Sequence, residues 1–416
     1  MVSLRSMLRW IIFFIIIFLI DIYAFQAFRV LFKGYWLSIL YFGLTLIILI
    51  GLSLELSIFN NVRPSQPFRA YILGAFIVIL VPKLFVIPFL LVEDIYRLIN
   101  GIFLKSNVTE TGFLPSRRKF ISTIALSVAA IPFTSLLYGI FKGRYNYQVH
   151  RHTLEFEDLP EAFDGYTITQ LSDLHCGSFD NYDKVKYGID LTNAQNSDVI
   201  VLTGDIVNNI SKEMYPWRKL FSELKAKDGV YSILGNHDYG DYFKWKNSSD
   251  KIENFELLKR LKKEMGWKLL LNEHVQIKRG DEQIAVVGVE NWGLGFIKKG
   301  DLNKASEGLS DKDFKVLLSH DPTHWQEEVK DNSRNFHLTL SGHTHGMQFG
   351  IEIPGFLKWS PAKWRYKYWA GMYEHSQKKR YLNVNRGFGY IAYPGRVGIW
   401  PEITVIELRK KRKADS

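Results

Sequence analysis

Five short polar clusters lie in the C-terminal two-thirds of this 416-residue chain: Asp173-Leu174-His175, Gly204-Asp205, Gly235-Asn236-His237-Asp238, Ser319-His320 and Gly342-His343-Thr344-His345. Carboxylate, imidazole and side-chain amide oxygen are donors that hard or borderline divalent ions accept. Asp173/His175 and His343/His345 are each two apart, so both members can face one ion if the chain turns there. The glycines before Asp205 and Asn236 allow such sharp turns. Seven candidate ligands result: Asp173, His175, Asp205, Asn236, His320, His343 and His345. They exceed one tetrahedral site and suit two ions sharing a bridging carboxylate. Paired ions about 3.5–4 Å apart clamp a phosphoryl group and generate hydroxide from bound water.

Each cluster follows a strand-like, largely apolar run, at 166–171, 199–202, 230–234, 314–318 and 336–340. Strand ends converging on one sheet edge are where α/β folds place ligands. Helix-like spacing marks 184–194, 217–225 and 255–264. Later strands, at 276–278, 284–289, 380–384 and 403–408, follow one another without clear helices. Helices early and consecutive strands late predict an α/β domain of two packed sheets flanked by helices.

Taken in order, the clusters resemble the motifs of the calcineurin-like metallophosphoesterase superfamily: D-x-H, G-D, G-N-H-[DE], a lone His and G-H-x-H. The match spans 165 to 400. The resemblance implies a four-layer sandwich with two mixed sheets. It also implies two divalent ions (Mn, Fe or Zn), the first on Asp173, His175 and His345. The second would sit on Asn236, His320 and His343, with Asp205 bridging. His237 would protonate the leaving oxygen or stabilise its charge, and Asp238 would orient His237. The attacking group would be a metal-bridging hydroxide. The phrases Gln170 to His175, Val201 to Asp205, Asn385-Arg386-Gly387 and Pro394-Gly395-Arg396 look like a membrane-anchored or exported bacterial branch. That branch includes twin-arginine-exported phosphoesterases and relatives that cleave the pyrophosphate of UDP-2,3-diacylglucosamine.

The chain before about residue 145 is a different material, dominated by Ile, Leu, Phe and Val. The overall mean hydropathy of -0.06 averages it with an ordinary soluble domain. Apolar runs near 10–28, 35–59, 70–92 and 120–141 reach or approach the roughly 20 residues that span a bilayer. We therefore expect a transmembrane region at 1–144, a catalytic domain at 145–410 and a basic tail at 411–416. Asp21, Glu55 and Lys83 fall inside the first three runs, where helix packing is the simpler role. Arg97, Lys105, Arg117, Arg118 and Lys119 form the densest basic run near the spans. Holding that loop cytoplasmic makes the protein integral to the inner membrane and its catalytic domain extracytoplasmic. Ser116-Arg117-Arg118-Lys119-Phe120-Ile121 resembles a twin-arginine export signal, or a positive-inside anchor.

A single cysteine, Cys176, excludes an intrachain disulfide, and its setting favours packing over ligation. The net charge of +11 is shared between membrane flanks and tail, so no nucleic-acid partner is expected. Arg386 and Arg396, in Gly-flanked turns, could grip phosphate oxygens or serve structurally, Arg386 by pairing with Glu290 or another acid. The aromatic and basic stretch at 347–380 suits a packed lid, a lipid surface or substrate stacking. The expected activity is hydrolysis of a phosphate ester, diester or pyrophosphate, on lipid-linked or envelope substrates. The alternatives are a catalytically silent metal-binding scaffold, and UDP-2,3-diacylglucosamine pyrophosphatase if the domain is cytoplasmic.

Overall fold

The computed structural model describes residues 4–58, 66–103, 115–353 and 355–412. The chain divides into two compact units, 1–140 and 141–416. The first is helical: α1 (Leu4–Leu31), α2 (Tyr35–Ile58), α3 (Gln66–Phe103) and α4 (Pro115–Phe141). All four are long and apolar enough to cross a membrane, and a helix satisfies its own backbone groups there. Ala24, Ala27, Ala125 and Ala129 pack with Val86 and Leu90 at their centre. Small residues of this kind let helix backbones approach closely.

Charge inside this unit is paired. Lys83 of α3 is bonded to Asp21 of α1, and to Thr45 Oγ1 of α2 at 3.0 Å. The Glu55 side chain lies outside the described residues, as do Lys105 and the tail residues 413–416. Helix α3 runs eleven residues past the expected span end at 92, because its charges there have partners. Glu93 pairs with Arg97 and Arg118, and Asp94 accepts from Arg118 at 2.7 Å and from Tyr23 at 2.8 Å. Arg117 lies over the Tyr96 ring at 3.9 Å. The arginine pair thus fastens α4 to α3, and Asp94 ties α3 on to Tyr23 of α1.

The second unit contains two six-stranded mixed sheets and a separate hairpin. In chain order the strands are β1 (Gln148–Phe156), β2 (Tyr166–Leu171), β3 (Val199–Leu202), β4 (Val230–Ser232), β5 (Trp267–Leu269), β6 (Glu273–Arg279) and β7 (Glu282–Gly288). They continue with β8 (Phe314–Leu318), β9 (Leu338–Ser341), β10 (Ile351–Ile353), β11 (Leu357–Trp359), β12 (Gly371–His375), β13 (Arg380–Val384) and β14 (Glu402–Lys410). One sheet runs β1-β14-β2-β3-β4-β5 and the other β12-β13-β9-β8-β7-β6. The strands β2 to β5 are parallel neighbours, as are β7, β8, β9 and β13.

Alternation along the strands builds the layers. Ile168, Val199 and Val201 of the first sheet meet Ile284, Val286, Val316 and Leu338 of the second. The opposite faces carry Ile200 and Leu202 against helix residues Val185, Ile189, Leu258 and Leu261, and Val287, Leu317 and Val384 against Trp325 and Val329. The expected helices at 184–194 and 255–264 occur as Tyr182–Asn193 and Ser248–Glu264. The one expected at 217–225 shrinks to Arg218–Phe221. There the Asn193 side chain takes the Glu223 carbonyl and the Lys225 N–H, ending the helix early.

Candidate dimetal site

Parallel strands deliver every cluster at their carboxyl ends. Strand β2 leads to Asp173 and His175, β3 to Asp205, and β4 to Asn236 and His237. From the second sheet, β8 leads to His320 and β9 to His343 and His345. Asp173, His175, Asp205, His343 and His345 all have φ between 45° and 70°. A left-handed backbone costs a residue with a Cβ about 1–3 kcal/mol and persists where the surroundings over-determine it. Two glycines make the crowding possible. A Cβ on Gly235 would stand 2.1 Å from Asp205 Oδ1, and one on Gly342 would stand 2.2 Å from Asp173 Oδ2.

The ligand atoms of Asp173, His175 and His345 lie within 4.8 Å of one another, and so do those of Asp205, His320 and His343. Asp205 Oδ2 is 3.2 Å from His320 Nε2 and 3.6 Å from His175 Nε2, so it stands between the two groups. Asn236 Oδ1 is 2.9 Å from His343 Nδ1, which is 3.2 Å from His320 Nε2. The outer ring nitrogens are held elsewhere: His320 Nδ1 by Thr203 O at 2.7 Å, His175 Nδ1 by Asn208 Oδ1 at 3.1 Å, and His345 Nδ1 by Arg396 at 3.1 Å. That fixes ring orientation and leaves each Nε2 for the centre.

The donors fit divalent cations. His345 Nε2 is buried without a hydrogen-bond partner although Asp173 Oδ1 is 3.2 Å away, and buried Asp321 Oδ2 is likewise unpartnered. Burial pushes the Asp173 and Asp205 carboxyls up. The neighbouring imidazoles, His345 for Asp173 and His320 for Asp205, outweigh it and hold both below the usual carboxylate range. Burial drives His175 far below the ordinary imidazole value, and lowers His343 and His345. Neutral imidazole is the form that ligates. For His320 burial also opposes the charge, but Asp205 wins and lifts it to about 10.

His237 is half-buried at a cavity of about 270 Å³ that also touches His175, Asp205, Asn236 and His343. Its Nδ1 bonds Asn208 O at 2.6 Å, and its ring packs on Tyr242 at 4.3 Å. With Nδ1 occupied, Nε2 is the nitrogen left for the cavity. Phe296, Arg365, Tyr366 and Met347 complete the walls. Tyr366 Oη is 2.9 Å from His343 Nε2, and burial pushes that hydroxyl up to about 12.

Comparison with known proteins agrees with this geometry. Residues 166–347 match the family described as "Calcineurin-like phosphoesterase". Residues 8–144 match "Probable Calcineurin-like phosphoesterase, transmembrane domain". The chain is 30% identical over 302 residues to the uncharacterized metallophosphoesterase YkuE of Bacillus subtilis (strain 168), covering 71% of this chain and 98% of that one. The chain belongs to the calcineurin-like metallophosphoesterases. It is also 29% identical to YkoQ of the same organism, covering 68% of this chain and 98% of that one. A Danio rerio transmembrane protein with a metallophosphoesterase domain is 28% identical, covering 68% of this chain and 63% of that protein. This phosphoesterase therefore pairs four apolar helices with a domain carrying two candidate metal clusters.

One expectation changes, and two alternatives left open for the arginines narrow to the structural one. Asp238 does not orient His237. Its carboxylate accepts from the backbone N–H groups of Asp205 (3.0 Å), Ile206 (2.9 Å) and Gly235 (3.0 Å), because the two loops bend around it. The Asn208 carbonyl orients His237 instead. Arg386 is buried and committed to Glu402 and to Glu352, with Nε 3.0 Å from Glu352 Oε2, rather than to Glu290 or a phosphate. Arg396 is fully buried, donating to Gly389 O, Arg386 O and His345 Nδ1, which leaves its guanidinium unavailable to substrate. Cys176 packs in the hydrophobic core. Sequence reasoning missed Asn208, three residues past Asp205, and Asp321, beside His320. Neither position carries a motif of its own. Arg365 appeared only as part of an aromatic run.

Proposed function

We propose that this phosphoesterase is a membrane-anchored dimetal hydrolase of phosphate esters, diesters or pyrophosphates, acting outside the cytoplasm on lipid-linked or envelope substrates. The observation that carries the reading is Asp205 standing between two buried donor groups beside a cavity that also holds His237. Asp173, His175 and His345 would hold one ion, and Asn236, His320 and His343 the other, with Asp205 shared. The ions, when bound, supply Lewis acidity toward the phosphoryl oxygens and an acidified water.

The protein's own groups do the rest. His237, held at Nδ1, presents Nε2 to the departing oxygen, either donating a proton to it or stabilising its charge. Arg365 lines the cavity and brings the cation that Arg386 and Arg396 cannot supply; a guanidinium suits a phosphate's paired oxygens. Asp238 keeps the β3 and β4 loops at their spacing. Burial pushes its carboxyl up, although Lys262 Nζ lies only 3.9 Å away.

The test is a metal-supplemented activity screen of the full chain over soluble and lipid-linked phosphate esters, with elemental analysis alongside. Two equivalents of metal and hydrolysis are expected; no ester hydrolysed with any metal would overturn the reading. Protease added to intact spheroplasts should clip the domain, and cleavage only after lysis would reverse the proposed side.

A further inference from the structure

The hairpin β10–β11 is turned inside out. Its register places Ile351 opposite Trp359, Glu352 opposite Lys358, and Ile353 opposite Leu357. Directly opposed residues share a face, so one face is Ile351, Ile353, Leu357 and Trp359, and the other is Glu352 and Lys358. In an ordinary soluble domain the apolar face would pack inward. Here the polar face is the one tied down: Glu352 pairs with buried Arg386, and Lys358 Nζ donates to Ala370 O. Ile351, Ile353 and Leu357 are exposed, and Phe356, at the tip, is 83% exposed.

Trp364 extends this surface. It is 76% exposed, and its ring stands 5.9 Å from that of Trp359. Of the twelve large apolar side chains exposed among described residues after 141, six lie between 347 and 364. Exposed Lys363, Arg365 and Lys367 border the group. A contiguous apolar patch with a basic rim is the composition that settles into an anionic bilayer interface. Trp adds the preference of its ring for headgroup level. The chain's four apolar helices, of which α4 ends at Phe141, bring a bilayer within reach.

The root of the hairpin joins the site. Ser360 Oγ, fully buried, donates to the carbonyl of Gly346, the residue after His345. Met347 on one side of the hairpin and Arg365 on the other both line the cavity beside His237. We propose that the β10–β11 hairpin and Trp364 dock into the surface of an anionic lipid bilayer, holding the cavity at headgroup level, so that the substrate is a phosphate ester displayed on a membrane-embedded amphiphile. The substrate class rests on the phosphoesterase reading; the docking rests on the hairpin alone.

Cys176, the single cysteine, is buried, so Phe356→Cys in the full chain can carry a nitroxide label selectively. In nanodiscs of phosphatidylglycerol and phosphatidylcholine, a label at 356 should collide with oxygen more than with a water-soluble nickel chelate. A label at Ile252→Cys, exposed on the helix Ser248–Glu264, should show the reverse. Equal nickel access at both positions would overturn the docking. Dipolar broadening between labels would overturn it in favour of a second copy. In a separate arm, Phe356→Asp should slow hydrolysis of a vesicle-displayed phosphate ester by about tenfold, equivalent to about 1.4 kcal/mol, while leaving a soluble aryl phosphate unaffected. Equal loss on both substrates, or no loss on either, would overturn the substrate class. A bilayer-buried label with no hydrolysis of any ester would uphold docking and overturn the phosphoesterase reading instead.

Discussion

The chain buries charge in both of its units, and the helical bundle and the candidate metal site resolve it in opposite ways. Among the described residues of the helical unit, buried ions meet counter-ions: Lys83 with Asp21, Arg118 with Glu93 and Asp94. In the catalytic unit Asp173 and Asp205 face imidazoles rather than lysines or arginines, and His345 Nε2 has no hydrogen-bond partner. Low dielectric makes both arrangements costly unless satisfied. One is satisfied from within the fold, and the other leaves a buried donor, His345 Nε2, open to a ligand. Buried charge marks function where its compensation is incomplete.

The sharpest way to break this contrast is at Asp205. Asp205→Asn should remove both ions and abolish turnover; full metal content by elemental analysis would sink the bridging role. His237→Gln comes next. Metal should stay while turnover on nitrophenyl phosphate esters falls by roughly 10²–10⁴, so unchanged turnover would remove His237 from the chemistry. On the other side, Lys83→Met strands Asp21 and should cost about 3–5 kcal/mol, read as a lower unfolding temperature of the full chain in micelles. Adding Asp21→Leu should recover most of that loss. If the single variant alone retains full stability, the helical unit's pairing is not what holds it.

Glu402 gives the smallest effect and a pH signature. Burial pushes its carboxyl up, but Arg386 prevails and holds it at about 2. A depressed folded value means the stabilisation is present above the usual glutamate range and is lost as pH falls toward 2. The lost increment is about 3 kcal/mol by pKa difference. Glu402→Gln should flatten the stability profile of the full chain across that window. An unchanged slope would show that the Glu352–Arg386–Glu402 cluster contributes no pH dependence.

The metal clusters were legible because each combines a rare donor set with a preceding apolar run and, in three of them, a leading glycine. These are local properties. The roles around them were not, since they depend on which loop a side chain turns toward. Asp238 sits next to His237 in sequence yet faces the Asp205 loop. Arg386 looks like an anion grip in Asn-Arg-Gly, but its partners lie 34 residues before it and 16 after. The hairpin was equally opaque. Ile-Glu-Ile and Leu-Lys-Trp read as ordinary alternation, and only the Glu352–Arg386 tie decides which face looks out. The helices at 1–144 were legible by length and hydropathy, while the extension of α3 depended on Arg118 in another helix.

The left-handed backbone at five of the seven proposed ligands has a consequence for anyone seeking a hardier form of this protein. Glycine adopts that conformation at no steric cost and would relieve strain at Asp173, His175, Asp205, His343 or His345. Each such change also deletes a donor. Selection for heat resistance alone, with metal withheld, should therefore enrich glycine at these positions and return robust proteins that have lost their chemistry.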